Sequence, residues 1–221
     1  MNNAVKVTSI AGALAAATFL QPLVAHAQST QAPYWTHAAP ASLARQELYP
    51  AVLDGKIYVA DFVYVAEGYA NSCSKWDVSN PRSPQLVVRW SVGGFAHGLW
   101  PSADGEVVVS TEELPHGLPA RVWRMDGTNP PQQVATIQVS GATPHNVVFE
   151  GRRAFVSHYT EGALVVDLDD PAAPRMAAKY DTNPLTGARL AGCRGVYKFP
   201  GVPLMACSDT STGFNLLRLT N

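Results

Sequence analysis

The chain has 221 residues, enough for one or two domains with a real core, and its formal net charge of −1 offers no basic field to nucleic acid or acidic lipid. Charged residues make up only 15% of it, against 17 glycines and 17 prolines, a mixture too apolar for disorder and too rich in turns for a helical bundle.

The first 27 residues read as a secretory leader. Lys6 supplies a positive n-region, residues 10–20 ("IAGALAAATFL") an apolar run, and "AHA" at 25–27 an A-x-A cleavage site. The run is too short to span a bilayer, and no later stretch is long enough to do so. No cysteine precedes Cys73, which argues against lipid attachment at the cleavage site. The expectation is an exported protein, periplasmic or secreted, that begins at Gln28 and has no membrane span. Residues 28–44 then form an N-terminal arm. Its "APYWTHAAP" (32–40) holds Tyr34, Trp35 and Thr36 between prolines, so residues 33–38 are expected to pair with residues 213–219 as an outer closing strand.

Residues 45–221 repeat a unit of short strands. In "HNVVFEGRRAFVSHYTEGALVVDLDDPAAPRMAAKYDT" (145–182), Glu-Gly, Thr-Glu-Gly and proline-marked turns separate four of them. Residues 45–92 hold "DGKIYVADF", "CSKWDVSNPRSP" and "QLVVRWSV", and residues 93–139 hold "AHGLWPSADGEVVVST", "ARVWRMDGTNPP" and "QQVATIQV". The last copy holds "CRGVYKFPGVPLMACSD" and "TGFNLLRL". The third strand with its turn repeats most sharply: "WDVSNPRSP" from Trp76, "WRMDGTNPP" from Trp123 and "VDLDDPAAP" from Val166. Each ends in an Asp-containing turn closed by a proline, which cannot donate into a ladder. The pattern predicts an all-β, β-propeller-like fold of about four blades of four antiparallel strands. The blades fall at about 45–92, 93–139, 140–182 and 183–221. Trp76, Trp90, Trp100 and Trp123 lie on strands and are expected to pack between blades. A ring closed by residues 33–38 implies a monomer, whereas an open arc implies a homodimer completing a larger ring.

The segments "HNVVFEGRRAFVSHYTEGALVVDLDDPAAPRMAAKYDT", "HGLWPSADGEVVVSTEE" and "GVYKFPGVPLMACSDTSTGFNLLRL" resemble the LVIVD repeats of the choice-of-anchor B type. The resemblance covers roughly residues 45–219. It implies a secreted or periplasmic propeller, and no single reaction defines that family. Relatives usually carry more blades than this chain.

Aligning the first strand of each blade brings Tyr49, His97, His145 and Arg194 to one repeat position. The innermost strand of a blade lines the central channel, so these four side chains are expected to ring one channel mouth. The second strand returns to the same end with Asp61, Thr111, His158 and Asp209, followed closely by Glu112 and Glu113. Period-2 alternation in the hairpin puts 145, 147 and 149 on one sheet face with 154, 156 and 158, so His145 and His158 are expected to meet. Three imidazoles, His97, His145 and His158, suit a divalent transition metal such as zinc, copper or iron. Tyr49, Asp61, Glu112, Arg194 and Asp209 would bind a ligand beside it. The competing reading is that these residues line a hydrated channel and bind only water.

Other signals are weak. The chain has no G-x-S-x-G, H-E-x-x-H, Walker loop, dinucleotide fingerprint or C-x-x-C. Residues 77–80 and 167–170 lack the glycine and spacing of a calcium loop and read as repeat turns. Of the three cysteines, Cys193 and Cys207 flank the turn "FPGVP" and either bridge across a hairpin, leaving Cys73 a buried thiol, or remain reduced. The absence of a catalytic motif favours a binding or scaffold module for a protein or small ligand. The alternative is a metal-dependent hydrolase or oxidoreductase built on the channel histidines.

Overall fold

The computed structural model describes residues 6–9, 51–53, 56–58, 61–80, 82–139, 141–184, 186 and 190–220. Every regular element among them is a strand. In chain order these are β1 (Lys6–Ser9), β2 (Ala51–Leu53), β3 (Lys56–Tyr58), β4 (Phe62–Ala66), β5 (Ser72–Asp77) and β6 (Gln85–Ser91). Then come β7 (Phe95–Pro101), β8 (Val107–Leu114), β9 (Ala120–Asp126) and β10 (Asn129–Ile137), followed by β11 (Val147–Glu150), β12 (Arg153–Ser157), β13 (Ala163–Asp167) and β14 (Arg175–Tyr180). The chain closes with β15 (Cys193–Lys198), β16 (Leu204–Asp209) and β17 (Gly213–Thr220). No helix among the described residues is long and apolar enough to cross a membrane.

The strands assemble into four antiparallel blades: β4-β5-β6, β7-β8-β9-β10, β11-β12-β13-β14 and β15-β16-β17-β1. The first strands β7, β11 and β15 pack on one another in sequence, and the outer strands β6 and β10, and β14 and β1, meet at the rim. Among the described residues, the substantial contacts between blades run from each blade to the next in sequence.

The middle strands of the second and third blades are apolar on consecutive residues because these blades are covered on both faces. Val107 and Val109 face the third blade, whereas Val108 faces the first. Ala154, Val156, Leu164 and Val166 face the second blade, and Phe155, Ala163 and Val165 face the fourth, where Met205 and Leu217 await them. Runs such as Val-Val-Val and Leu-Val-Val thus fill two cores at once, as strands buried on both faces require. Trp90 and Trp123 pack edge to face at 6.2 Å between the first two blades. The Asp turns are local hydrogen-bonded turns: Asp77 accepts the Ser79 amide and Asp167 the Asp169 amide, each at 2.9 Å.

Two expectations change. Asp54-Gly55 lies between the paired strands β2 and β3, but these form a separate two-stranded sheet, and the blade itself begins at β4. "FVYVA" therefore takes the place assigned to "GKIYVADF", and every alignment through the first blade moves with it. The second concerns the rim. Residues 33–38 lie outside the described residues, and the outer edge of β17 pairs instead with Lys6–Ser9, a segment inside the leader expected to be removed on export.

Cys193 and Cys207 form a disulfide with Cα atoms 5.9 Å apart, and Cys73 is a buried free thiol. The bridge spans a sequence separation of 14 and so restricts a short loop of the unfolded chain. Reducing and alkylating it is expected to cost about 3 kcal/mol. For a domain of this size that lowers the melting temperature by roughly 6–12 °C. An unchanged melting temperature by calorimetry would contradict the expected contribution.

Candidate functional site

A one-residue bulge recurs at the start of the first strand. In the second blade Ala96 pairs with Glu112 and Gly98 with Thr111, so His97 is the extra residue. In the fourth, Cys193 pairs with Asp209 and Gly195 with Ser208, so Arg194 is extra. In the third, Ser157 accepts the His145 amide and donates its own to Asn146, so both residues face one partner. Such a bulge re-aims a side chain that regular alternation would place elsewhere.

A hydroxyl on the second strand locks each bulge and ties it to the next blade. Thr111 Oγ1 accepts the Gly98 amide at 2.9 Å and donates a short bond to the His145 carbonyl. Ser157 Oγ accepts the Asn146 amide at 2.9 Å and donates to the Arg194 carbonyl at 2.7 Å. Gly98 is required here. A methyl group on it would press on Thr111 Oγ1 and stand 2.7 Å from the His145 carbonyl oxygen, and neither neighbour is free to move. Gly98→Ala is expected to cost about 1–3 kcal/mol. It should also widen the His97–His145 spacing, which the imidazole signals in NMR spectra report. A variant with wild-type stability and unchanged signals would show that the bulge tolerates a side chain.

The bulges bring His97 and His145 together with ring centroids 3.7 Å apart. Glu113, from the end of β8, joins them. Ligand-donating atoms of His97, Glu113 and His145 all lie within 4.8 Å of one another. Glu113 Oε1 is 3.4 Å from His145 Nε2 and accepts a hydrogen bond from the Tyr159 hydroxyl at 2.5 Å. His145 Nδ1 lies 2.8 Å from the Arg194 carbonyl oxygen, which only an N–H can satisfy, so the tautomer carries its proton on Nδ1 and leaves Nε2 bare. That Nε2 and His97 Nδ1 are buried without a hydrogen-bond partner among the described residues. Burial, then the neighbouring His97, lowers the His145 pKa to about 4. Burial and the bond to Glu113 raise that of Tyr159, with Arg194 beside its hydroxyl working the other way.

Tyr159 marks the site in a second way. It holds φ +38°, a conformation unusual for a bulky side chain, while being 2% exposed. Its backbone exchanges hydrogen bonds with Cys193 of the next blade, as Gly68 (φ +56°) does with Ala96 one interface earlier. A position that glycine fills elsewhere in the repeat thus carries a tyrosine aimed at Glu113. Strain held in this way is characteristic of functional positions.

The other predicted residues lie apart. His158 is buried but outside the cluster. The register is direct from Val147↔Val156 to Glu150↔Arg153, and the bulge then turns His145 away from it. Both its ring nitrogens are buried without hydrogen-bond partners among the described residues, and burial lowers its pKa to about 4. Glu112 is fully buried and turned along the blade, taking Arg121 Nε at 2.6 Å and Ser110 Oγ at 3.1 Å. Burial pushes its carboxyl above the usual range, with Arg121 pulling against that shift. Asp209 accepts hydrogen bonds from Thr182 and Asn183, and these outweigh burial to hold it below the usual range. Asp61 is exposed at the opposite end of β4, because the first blade starts later than expected; the matching residue is Glu67, bound to Arg89 at 2.8 Å. Arg194 stands at the cluster through its carbonyl and beside Tyr159 through its side chain. Tyr49 lies outside the described residues.

No protein-family model matches the chain, and no curated protein matches it. Solved structures do. A Bacteroides uniformis protein assigned as a 6-phosphogluconolactonase superposes with a TM-score of 0.54 at 13% identity, covering 71% of this chain and 49% of its own. The β-propeller domain of Myceliophthora thermophila Cps50 (Swd1) gives 0.53 at 13% identity, covering 72% and 50%. The periplasmic gluconolactonase of Pseudomonas aeruginosa gives 0.53 at 18% identity, covering 67% and 47%. The fold is a β-propeller. The chain spans about half the length of these neighbours, and at such identities the likeness speaks for fold alone.

Proposed function

We propose that the chain is an exported binding module of LVIVD-repeat type that seats a small sugar acid or its lactone at the channel mouth. The observation that carries this reading is the pair of buried, unpartnered ring nitrogens on His97 and His145, facing Glu113 and the Tyr159 hydroxyl. Buried polar atoms without partners are costly, and a bound polar ligand relieves that cost. Arg194, exposed beside Tyr159, supplies a cation for a carboxylate. Phe95 and the 85% exposed Tyr69, packed edge to face at 4.7 Å, offer an aromatic wall next to His97 for a sugar ring. Two of the three fold neighbours are described as acting on gluconolactones, which accords with this ligand class.

The second reading, a hydrolase, draws on those same two neighbours. One experiment separates the two. Thermal shift with D-gluconate and D-glucono-1,5-lactone should raise the melting temperature of the wild-type chain and not of the His97→Ala/His145→Ala variant. Lactone opening at the buffer rate supports the binding module, whereas turnover lost in the double variant supports the hydrolase. No shift with either compound rejects the proposed ligand class.

A further inference from the structure

We propose that His97, His145 and Glu113 hold a divalent first-row transition ion, zinc in the first instance, with at least one coordination position left for an exogenous ligand. The inference rests on the reading that this channel mouth is the binding site and names what binds first.

The donor set fits the ion. Two imidazoles and a carboxylate are a common three-residue set for a zinc ion that retains an open position. All three donor atoms lie within 4.8 Å of one another, so small side-chain movements bring them to a shared ion. His145 is prepared as a ligand, since its Nδ1–H donates to the Arg194 carbonyl at 2.8 Å and the Nε2 lone pair stays free. Metal-bound imidazoles are typically oriented by such a backbone acceptor, and ligating carboxylates by a further hydrogen bond. Tyr159 supplies the latter to Glu113 at 2.5 Å. The ion would give a partner to His145 Nε2, a buried atom with no hydrogen-bond partner among the described residues. Without it, a carboxylate ligand would meet the Glu113 charge head on. With it, the site is net cationic, and Arg194 adds to the attraction.

His158 and Asp209 take no part. Neither joins the donor group, and Asp209 is already engaged by Thr182 and Asn183.

The test uses the full chain, stripped with a chelator and titrated with zinc and with cobalt(II) by calorimetry and visible absorption. The wild type should take up one equivalent, and the cobalt spectrum should show nitrogen and oxygen ligation without thiolate. His145→Ala and Glu113→Gln should weaken binding at least a hundredfold. Tyr159→Phe, which keeps the ring and removes only the hydroxyl, should weaken it by roughly tenfold to a hundredfold. His116→Ala, on an exposed loop, should bind like wild type. Should the substitutions unfold the chain, imidazole nitrogen NMR on the wild type decides instead: zinc should shift His145 Nε2 strongly and leave its Nδ1 proton in place. Wild-type affinity no tighter than that of a folded His97→Ala/His145→Ala variant, or unchanged His145 nitrogens, would overturn the proposal. Gluconate binding that persists without zinc uptake would defeat the metal and leave the binding-site reading standing. Zinc uptake without any gluconate or lactone shift would do the reverse.

Discussion

Arg121→Ala is expected to lower stability by about 3–5 kcal/mol at neutral pH, because it strands a buried charge. Glu112 is fully buried, and Arg121 Nε, at 2.6 Å, is the cation bonded to its carboxylate. Arg121 also anchors to Gln133 on the outer strand at 3.1 Å, so the pair ties β8 to β10 across β9. Ser110 remains as a donor to the stranded carboxylate, but it carries no charge. The pH dependence gives a second signature. The folded-state pKa of Glu112 is already above its usual value and rises further without Arg121. The folded variant then binds more protons than the unfolded chain at pH values between the two, so its stability must rise as pH falls through that window. Urea denaturation at pH 7 and pH 5 measures both effects. A loss below 1 kcal/mol at pH 7 would mean that solvent reaches Glu112 once Arg121 is gone.

Acidification should destabilise the wild-type protein through His158. This side chain is 1% exposed, neither ring nitrogen has a hydrogen-bond partner among the described residues, and burial lowers its pKa from 6.5 to about 4. The charged groups that face it, Glu161 and Lys179, are bound to each other. The unfolded chain therefore takes up a proton near pH 6.5 that the folded chain refuses until about pH 4. Stability contributed by the neutral ring is present in full above pH 6.5 and is lost as pH falls towards 4. The loss amounts to about 3 kcal/mol across that window. His158→Gln should flatten the curve of stability against pH by that amount. An equal slope in the variant would assign the acid sensitivity to other groups.

The blade pattern was legible because its signals are local. Asp chemistry at the ends of β5 and β13 is the same, and both of those turns fold through their own hydrogen bonds. The pairing of His97 with His145 was legible for the same reason, since both sit one residue before the position where Thr111 or Ser157 plugs the strand. What escaped was set by single-residue insertions. A bulge adds one residue to one strand, so alternation counted from the hairpin turn holds through Val147 and fails at His145. That is why His158 was placed with His145, and why Glu112 stood in for its neighbour Glu113. The first blade failed differently, because the strands on either side of Asp54-Gly55, β2 and β3, pair with each other in a separate two-stranded sheet. Tyr159 left a faint trace, a tyrosine where the repeat has Gly68, but its positive φ is visible only in three dimensions.

The cluster of His97, His145, Glu113 and Tyr159 is the proposed site at which this propeller binds. The crystal structure of the full chain grown with D-gluconate tests it most directly. Ligand density is expected at that cluster, with the carboxylate towards Arg194 and at least one oxygen within hydrogen-bonding distance of the His97–His145–Glu113 group or of an ion they hold. Ligand density elsewhere with only solvent at the mouth, or His97 and His145 turned apart in the ligand's presence, would contradict it.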